Sequence, residues 1–323
     1  MIAPHVSVLL DEVIEALAPQ AGARLIDGTF GAGGYSRGFL EASDCIVLGI
    51  DRDPTAIARG AEISAEHGGR LTMALGCFGD MDELAEAADF APVDGVALDL
   101  GVSSMQLDEG TRGFSFMQDG PLDMRMGGVS QGGRSAEDIV NDDDPKDIIR
   151  ILKKYGEERR AGAIVRAIDA ARKEQRITRT LQLTQIITSV MGQGRPDRIH
   201  PATRTFQALR IAVNDELGEL HRGLEAAERV LKKDGRLAVV SFHSLEDRIV
   251  KQFLVDRCGA RPQGSRHLPE LPTGPAPTFE LLNRGSITPS EEEQSRNSRS
   301  RSARLRCAVR TSAPAWNESG VSA

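Results

Sequence analysis

Short apolar runs alternate with amphipathic stretches through the first hundred residues. Residues 25–27, 46–50, 71–75 and 93–98 are apolar and of strand length, and 36–42, 54–66 and 80–88 between them carry helical periodicity. Pro54 suits the first turn of its helix, where the missing N–H has no partner to lose. This β-α-β-α-β-α-β series predicts a parallel sheet covered by helices. The rhythm stops after Asp99. A glycine-rich, strand-poor stretch runs to Gly133, and helical segments then begin near Ala136, Pro145, Glu157 and Leu181. The α/β pattern returns with one long helical stretch over 204–231, a buried strand over 236–242, a helix over 245–258 and a final edge strand over 305–309.

A structureless loop as long as residues 107–203 would be out of place in a folded domain, so that segment is expected to be an inserted helical domain. The sheet domain is then discontinuous, 1–106 and 204–311. Residues 261–278 hold five prolines and read as loop, and 312–323 as a disordered tail.

Composition narrows the function classes. The chain has 323 residues, of which 40% are hydrophobic, and no run approaches the roughly 18 to 20 apolar residues that span a bilayer. The N-terminus lacks a basic region followed by an apolar stretch, so a cytoplasmic protein is expected. Cys45, Cys77, Cys258 and Cys307 form no CxxC pair, which fits neither a disulfide framework nor a zinc site and predicts reduced thiols. The six histidines show no metal-ligand spacing, and no metal is expected. The net charge of −7 conceals a polarised distribution. Residues 1–106 hold 5 Lys/Arg against 17 Asp/Glu, a balance of −12, whereas 145–204 hold 14 against 6, or +8. Residues 295–310 add six arginines and no acid. Such stretches are either solvated helix faces or a surface for phosphate backbones.

The sequence Asp27-Gly28-Thr29-Phe30-Gly31-Ala32-Gly33-Gly34 follows a predicted strand and enters a helix, the setting in which a glycine-rich turn binds nucleotides. Asp51 stands at the end of the next strand, where a carboxylate can accept both hydroxyls of a ribose. A structural turn alone is the plainer alternative. An NAD-type unit favours GxGxxG, whereas an acid just before the glycines resembles the first motif of class I methyltransferases. Phe78 in Gly76-Cys77-Phe78, at the third strand end, either packs on an adenine or is ordinary core.

Six further segments carry a more specific resemblance. They are Asp99-Leu100-Gly101-Val102-Ser103-Ser104-Met105-Gln106, Arg112-Gly113-Phe114-Ser115-Phe116, Gly120-Pro121-Leu122-Asp123-Met124-Arg125-Met126, Tyr155-Gly156-Glu157-Glu158-Arg159, His200-Pro201-Ala202-Thr203-Arg204-Thr205-Phe206-Gln207 and Ser241-Phe242-His243-Ser244-Leu245-Glu246. In their order and over nearly the whole chain they resemble the bacterial 16S rRNA (cytosine-N4)-methyltransferases, the RsmH or MraW family. The resemblance implies a class I (Rossmann-like) methyltransferase sheet with an inserted all-helical substrate-recognition domain. It implies S-adenosylmethionine as cofactor, held by Gly33, Gly34, Tyr35, Asp51, Phe78, Asp99 and Gln106. Tyr35 stands where many members have histidine, and a backbone contact survives that change. The implied substrate is a cytidine in the decoding region of 16S rRNA within the small ribosomal subunit, position 1402 in the family. No membrane partner is implied, and a homodimer stays open.

The exocyclic amine of cytosine is a poor nucleophile because its lone pair is delocalised into the ring. An acceptor aimed at an N4 hydrogen helps to localise that pair, and Asp99 is the best-placed candidate for this catalytic role. No cysteine stands in a motif suited to attack at ring carbon 5. Ser103, Ser104 and His243 either orient the base or simply cap turns. Phe114, Phe116 and Phe242 either stack on an extruded base or fill the core, which has few aromatics. Two other functions compete: a DNA amino-methyltransferase, which usually carries (D/N/S)PP(Y/F) where this chain has Asp99-Leu100-Gly101-Val102, and a non-catalytic ribosome assembly factor, against which the intact glycine turn argues.

Overall fold

The computed structural model describes residues 7–193, 199–259 and 275–316. Seven strands form one sheet: β1 (Arg24–Asp27), β2 (Ile46–Asp51), β3 (Leu71–Leu75), β4 (Val93–Asp99), β5 (Leu231–Ser241), β6 (Phe279–Leu281) and β7 (Arg304–Arg310). Among the described residues the α-helices are, in chain order, α1 (Leu10–Leu17), α2 (Gly34–Ala42), α3 (Pro54–Glu66), α4 (Met81–Ala87), α5 (Ser104–Asp108), α6 (Ala136–Asp142), α7 (Pro145–Gly156), α8 (Ala161–Glu174), α9 (Thr180–Met191), α10 (Thr203–Asn214), α11 (Glu216–Val230), α12 (Ser244–Arg257) and α13 (Glu291–Arg296). The chain divides into two compact units, residues 1–101 with 218–323, and residues 102–217.

In the first unit the strand order is β3-β2-β1-β4-β5-β7-β6. The first five strands are parallel, and β7 runs antiparallel to both its neighbours. Parallel strands need cover on both faces, and the successive residues of each strand supply it by pointing to opposite sides. Ile26, Leu48, Leu98 and Val239 face one core, completed by Met81 of α4, Leu224 of α11 and Leu254 of α12. Their neighbours Leu25, Val47, Ala97 and Val240 face the other, completed by Val13 of α1, Phe39 of α2 and Ile63 of α3. The start of α3 is fixed as its sequence suggests: Asp53 caps it by accepting from Thr55 N at 3.0 Å, and Pro54 occupies the first turn.

The second unit has its own core, built around Leu122, Met124, Ile148, Leu152, Ile164 and Leu209. A reciprocal cap between Ser135 and Asp138 opens α6, and Asp144 followed by Pro145 opens α7. The glycine-rich stretch before them is pinned by Asn214. Its Oδ1 accepts from Met126 N and its Nδ2 donates to Met124 O, both at 2.8 Å.

Several sequence expectations need correcting. The helical stretch over 204–231 is two helices, because Asp215 adopts left-handed backbone (φ 50°) and ends α10. Aspartate tolerates that conformation better than most side chains, so periodicity continues while the axis turns. As a result α10 belongs to the second unit, packed on α7, and the division falls after 101 and after 217 rather than after 106 and 203. Strand β5 begins at Leu231, ahead of 236, through an irregularity in its pairing with β4. β7 is not the edge strand, since β6 lies outside it. The helices α1 and α13 had no counterpart in the sequence pattern. Residues 312–316, expected to be disordered, are held: the Trp316 indole N–H donates to Ala276 O at 3.0 Å and the Arg257 guanidinium lies 4.2 Å from its ring centre. The rest of that tail, and 261–274 of the proline-rich loop, lie outside the described residues. No described helix is long and apolar enough to cross a membrane.

Gly156 closes α7 against α10, where an added Cβ would stand 2.5 Å from Arg204 O and 3.1 Å from Ala208 Cβ. Backbone cannot yield as a side-chain tip can. Gly156→Ala is therefore expected to cost about 1–3 kcal/mol, as overpacking does, and to lower the melting temperature by several degrees in thermal denaturation. An unchanged melting temperature would mean that α7 and α10 have room to separate.

Candidate active site

Asp27, Asp51 and Asp99 terminate β1, β2 and β4, three neighbouring strands, at their carboxyl ends. The chain order reverses between β1 and β4, and ligands of open α/β sheets bind at such a switch point. The turn after β1 is stitched to the strands on either side. Gly28 N donates to Ala97 O and Phe30 N to Ile50 O, each at 3.0 Å, and Asp99 N donates to Thr29 Oγ1 at 2.6 Å. Gly33 has φ 79°, and a Cβ there would meet the Phe30 ring at 2.7 Å and Ile63 Cδ1 at 2.5 Å. A Cβ at Gly34 would collide with Ser7 Oγ. The backbone conformation requires glycine at Gly33, and at both positions a Cβ would have to displace neighbouring side-chain ends.

The electrostatics of the three acids set this region apart. Asp27 is fully buried; its Oδ2 accepts from Ser36 N at 3.2 Å and Ser36 Oγ at 2.7 Å, and its Oδ1 is buried without a partner. Burial raises its pKa to about 6 against the lowering effect of the Ser36 hydroxyl, with the Asp51 charge adding a little. Asp99 Oδ1 is likewise buried without a partner. Burial, followed by the charges of Asp27 and Glu246, pushes the Asp99 carboxyl well above the usual range. Asp51 is half-buried. Its two oxygens accept from Gly31 N at 2.7 Å and Asp53 N at 2.8 Å, and burial raises its pKa in spite of those bonds. Acids so arranged favour a cationic, hydrogen-bond-donating ligand, which would satisfy the orphaned oxygens and stabilise the charges.

The remaining candidates fall into different settings. Phe78 is half-buried beside the turn, its Cβ 3.3 Å from where a Cβ on Gly28 would lie, and its ring rests on α11 at Gly223. The Tyr35 side chain is buried and donates its hydroxyl to Val8 O at 2.5 Å. Gln106 and Ser103 belong to the second unit, where they cap each other: Ser103 N donates to Gln106 Oε1 at 3.1 Å and Gln106 N to Ser103 Oγ at 3.3 Å. Phe114 is core in that unit, and Phe116 stacks on His200 with ring centres 4.8 Å apart. In the first unit Phe242 is partly buried against the sheet, and His243 caps α12 in a reciprocal arrangement with Glu246. The plainer readings of Ser103 and Phe114 therefore describe their surroundings, and the side chain of Ser104 lies outside what the structure describes.

Sequence reasoning missed Glu219. It is buried on α11, accepts from Phe78 N at 3.0 Å and pairs with Arg52, which also donates to Cys77 Sγ at 2.9 Å. One carboxylate thereby joins the residue after Asp51 to the loop that carries Phe78. Its position within a run of helical acids gave no signal in the sequence.

The chain matches the MraW methylase family model over residues 2–311. Among curated relatives it is 56% identical over 312 residues to a ribosomal RNA small subunit methyltransferase H of Parvibaculum lavamentivorans, covering 97% of this chain and 91% of the relative. Proteins of the same name from Rhodospirillum rubrum and Rhodospirillum centenum are 54% and 58% identical, covering 98% and 96% of this chain and 98% and 93% of theirs.

The raised Asp27 pKa has a consequence for stability. Between 3.8 and about 6 the folded state keeps a proton that the unfolded chain has released. The stabilising contribution is complete below 3.8 and is lost as pH rises through about 6. A shift near two units corresponds to roughly 3 kcal/mol, part of which the Ser36 bonds return on substitution. Asp27→Asn is expected to stabilise the ligand-free protein by about 1–2 kcal/mol at pH 7.5 and by much less at pH 4.5. Thermal denaturation at the two pH values checks this. A lower melting temperature for the variant at pH 7.5 would show that the ionised form is favoured in the fold.

Proposed function

We propose a function for this chain on one plain premise: it belongs to the MraW methylase family. It transfers a methyl group from S-adenosylmethionine to the exocyclic N4 of a cytidine in the decoding region of small-subunit rRNA. The observation that carries this reading is the trio of strand-end carboxylates around the glycine turn, two of them with orphaned buried oxygens. S-adenosylmethionine fits this set: it has a ribose diol for Asp51, an ammonium for Asp27, and net positive character for a region of raised acid pKa values. When bound, it supplies an electrophilic methyl group on a sulfonium.

The chain's own residues then have separable duties. Asp51 accepts from the ribose hydroxyls, while Gly33, Gly34 and the backbone of Tyr35 let the ligand approach the main chain. Phe78 flanks the adenine, and the family resemblance adds Gln106 to the cofactor contacts. Asp99 accepts a hydrogen bond from the cytosine amine and holds the proton released as the new N–C bond forms. Its raised basicity suits that duty. The rest of the catalysis is positioning and exclusion of water.

The names of the relatives support small-subunit rRNA as the substrate. Mass spectrometry of 16S rRNA from cells with and without the protein tests it directly: loss of one N4-methylated cytidine is expected, and an unchanged modification pattern would overturn the reading. Methyl transfer to assembled subunits and to deproteinised RNA, compared side by side, identifies the form of substrate.

Asp99 and Asp51 separate by kinetics. Asp99→Ala is expected to lower the single-turnover rate at saturating cofactor by roughly one to two orders of magnitude, the cost of a charged hydrogen bond of about 1.5–3 kcal/mol. Asp51→Ala is expected to weaken cofactor binding in calorimetry while leaving the saturated rate nearly intact. Full rescue of Asp99→Ala by high cofactor would remove it from the chemistry.

The RNA surface is expected on the second unit, where Lys153, Lys154, Arg159 and Arg160 are exposed. Arg172 is not available for phosphate, since it donates to the Val140 and Asp143 carbonyls and pairs with Asp169, as does Lys173. Neutralising the four exposed cations should flatten the plot of log affinity against log salt by about 0.7–0.9 for each phosphate that the protein then leaves unneutralised. A slope equal to the parent's would move the RNA surface elsewhere.

A further inference from the structure

Residues 7–9 lie on the start of α2, the helix that the glycine turn leads into. Ser7, Val8 and Leu9 are all buried, although they precede α1. Ser7 Oγ occupies the space that a Cβ at Gly34 would need. Val8 O accepts from the Tyr35 hydroxyl at 2.5 Å, and Leu9 N donates to Glu293 Oε1 of α13 at 2.9 Å. Leu9 has φ 53°, a left-handed backbone that a leucine adopts only when its surroundings impose it. The same first turn of α2 is tied from the other side by Asp27, through Ser36. The helix start is therefore gripped between a strand-end carboxylate and a strap that sequence places far from it.

We propose that Tyr35 is a positioning residue for the cofactor: its phenol latches the strap Ser7–Leu9 onto the glycine turn, and the latch governs how long the cofactor stays. This rests on the reading of the turn as the S-adenosylmethionine site. The strained Leu9 backbone supplies the tendency to spring open, the Tyr35 and Glu293 bonds oppose it, and ligand exchange follows the opening. Tyr35 acts through the main chain of residues 7–9 and takes no part in methyl transfer.

Tyr35→Phe keeps the ring and its packing beside Phe39 and removes only the latch bond. Glu293→Ala releases the strap from its other anchor. In each variant S-adenosylmethionine is expected to dissociate about five- to tenfold faster in stopped-flow measurements, the equivalent of one hydrogen bond. Amide exchange at Val8 and Leu9 should quicken in both variants, while in Glu293→Ala the single-turnover rate at saturating cofactor stays within about twofold of the parent's. A dissociation rate equal to the parent's, whether or not the melting temperature falls, would reduce Tyr35 to a structural residue and overturn the inference alone. Failure of the parent protein to bind S-adenosylmethionine would overturn the proposed function, and this inference with it.

Discussion

Three carboxylates gathered at adjacent strand ends, two of them with a buried oxygen, are the constraint around which the first unit is arranged. Asp27 and Asp99 each leave an oxygen buried and unpartnered, and their pKa values rise accordingly. A fold selected for stability alone would replace such groups with apolar residues. Here the strain is carried by the surroundings. Two apolar sheet faces bury Ile26, Leu48 and Leu98 on one side and Leu25, Val47 and Ala97 on the other, so the strands stay in register beneath acids that repel. Backbone N–H groups of Gly31, Asp53 and Ser36 offset part of the charge by donating to it. The glycine turn follows from the same demand, because only a turn that folds back tightly can aim its N–H groups at these oxygens.

Inserting a second unit between β4 and β5 is compatible with this only if the sheet can resume where it stopped. Leu100 N donates to Val240 O at 2.9 Å, so the chain leaves the sheet already bonded to the strand that it later supplies. The return is made by α11, whose Glu219 reaches the loops after β2 and β3. The helix that brings the chain back thus also braces the acid-bearing edge. In the second unit Asn214, at the end of α10, holds the glycine-rich stretch through Met124 and Met126, which lets a segment poor in regular structure keep a defined course.

The alternation of apolar strands with amphipathic helices was legible because the central parallel strands of this sheet are buried on both faces, which leaves continuous apolar runs. Asp27, Asp51 and Asp99 were legible for the converse reason: acids directly after such runs can only stand at strand ends. What periodicity cannot register is a change of axis that costs one residue. Asp215 turns the chain while the helical pattern passes through it unbroken, and the unit boundary was misplaced as a result. Helix α1 was hidden because both of its caps, Leu9 and Ala18, are left-handed residues without the usual glycine or polar side chain. Glu219 was invisible because a buried helical acid reads like its solvated neighbours.

Charge shows the same limit in a form that bears on function. Counting marks residues 145–204 and 295–310 as basic, yet the cations in them differ in what they are free to do. Arg310 is buried and donates to the Glu228 and Thr278 carbonyls, Arg306 pairs with Asp247, and Arg172 closes the end of α6. Each is committed to holding the chain together, and removing it would unsettle the fold before it altered an RNA contact. Arg159 and Arg160, at the loop between α7 and α8, are exposed. A phosphate contact needs a cation whose present neighbour is water, since only then does binding release counterions without breaking a bond inside the protein. The functional part of a basic segment is therefore the part that the fold leaves unused, and that remainder depends on carbonyls and carboxylates contributed from elsewhere in the chain.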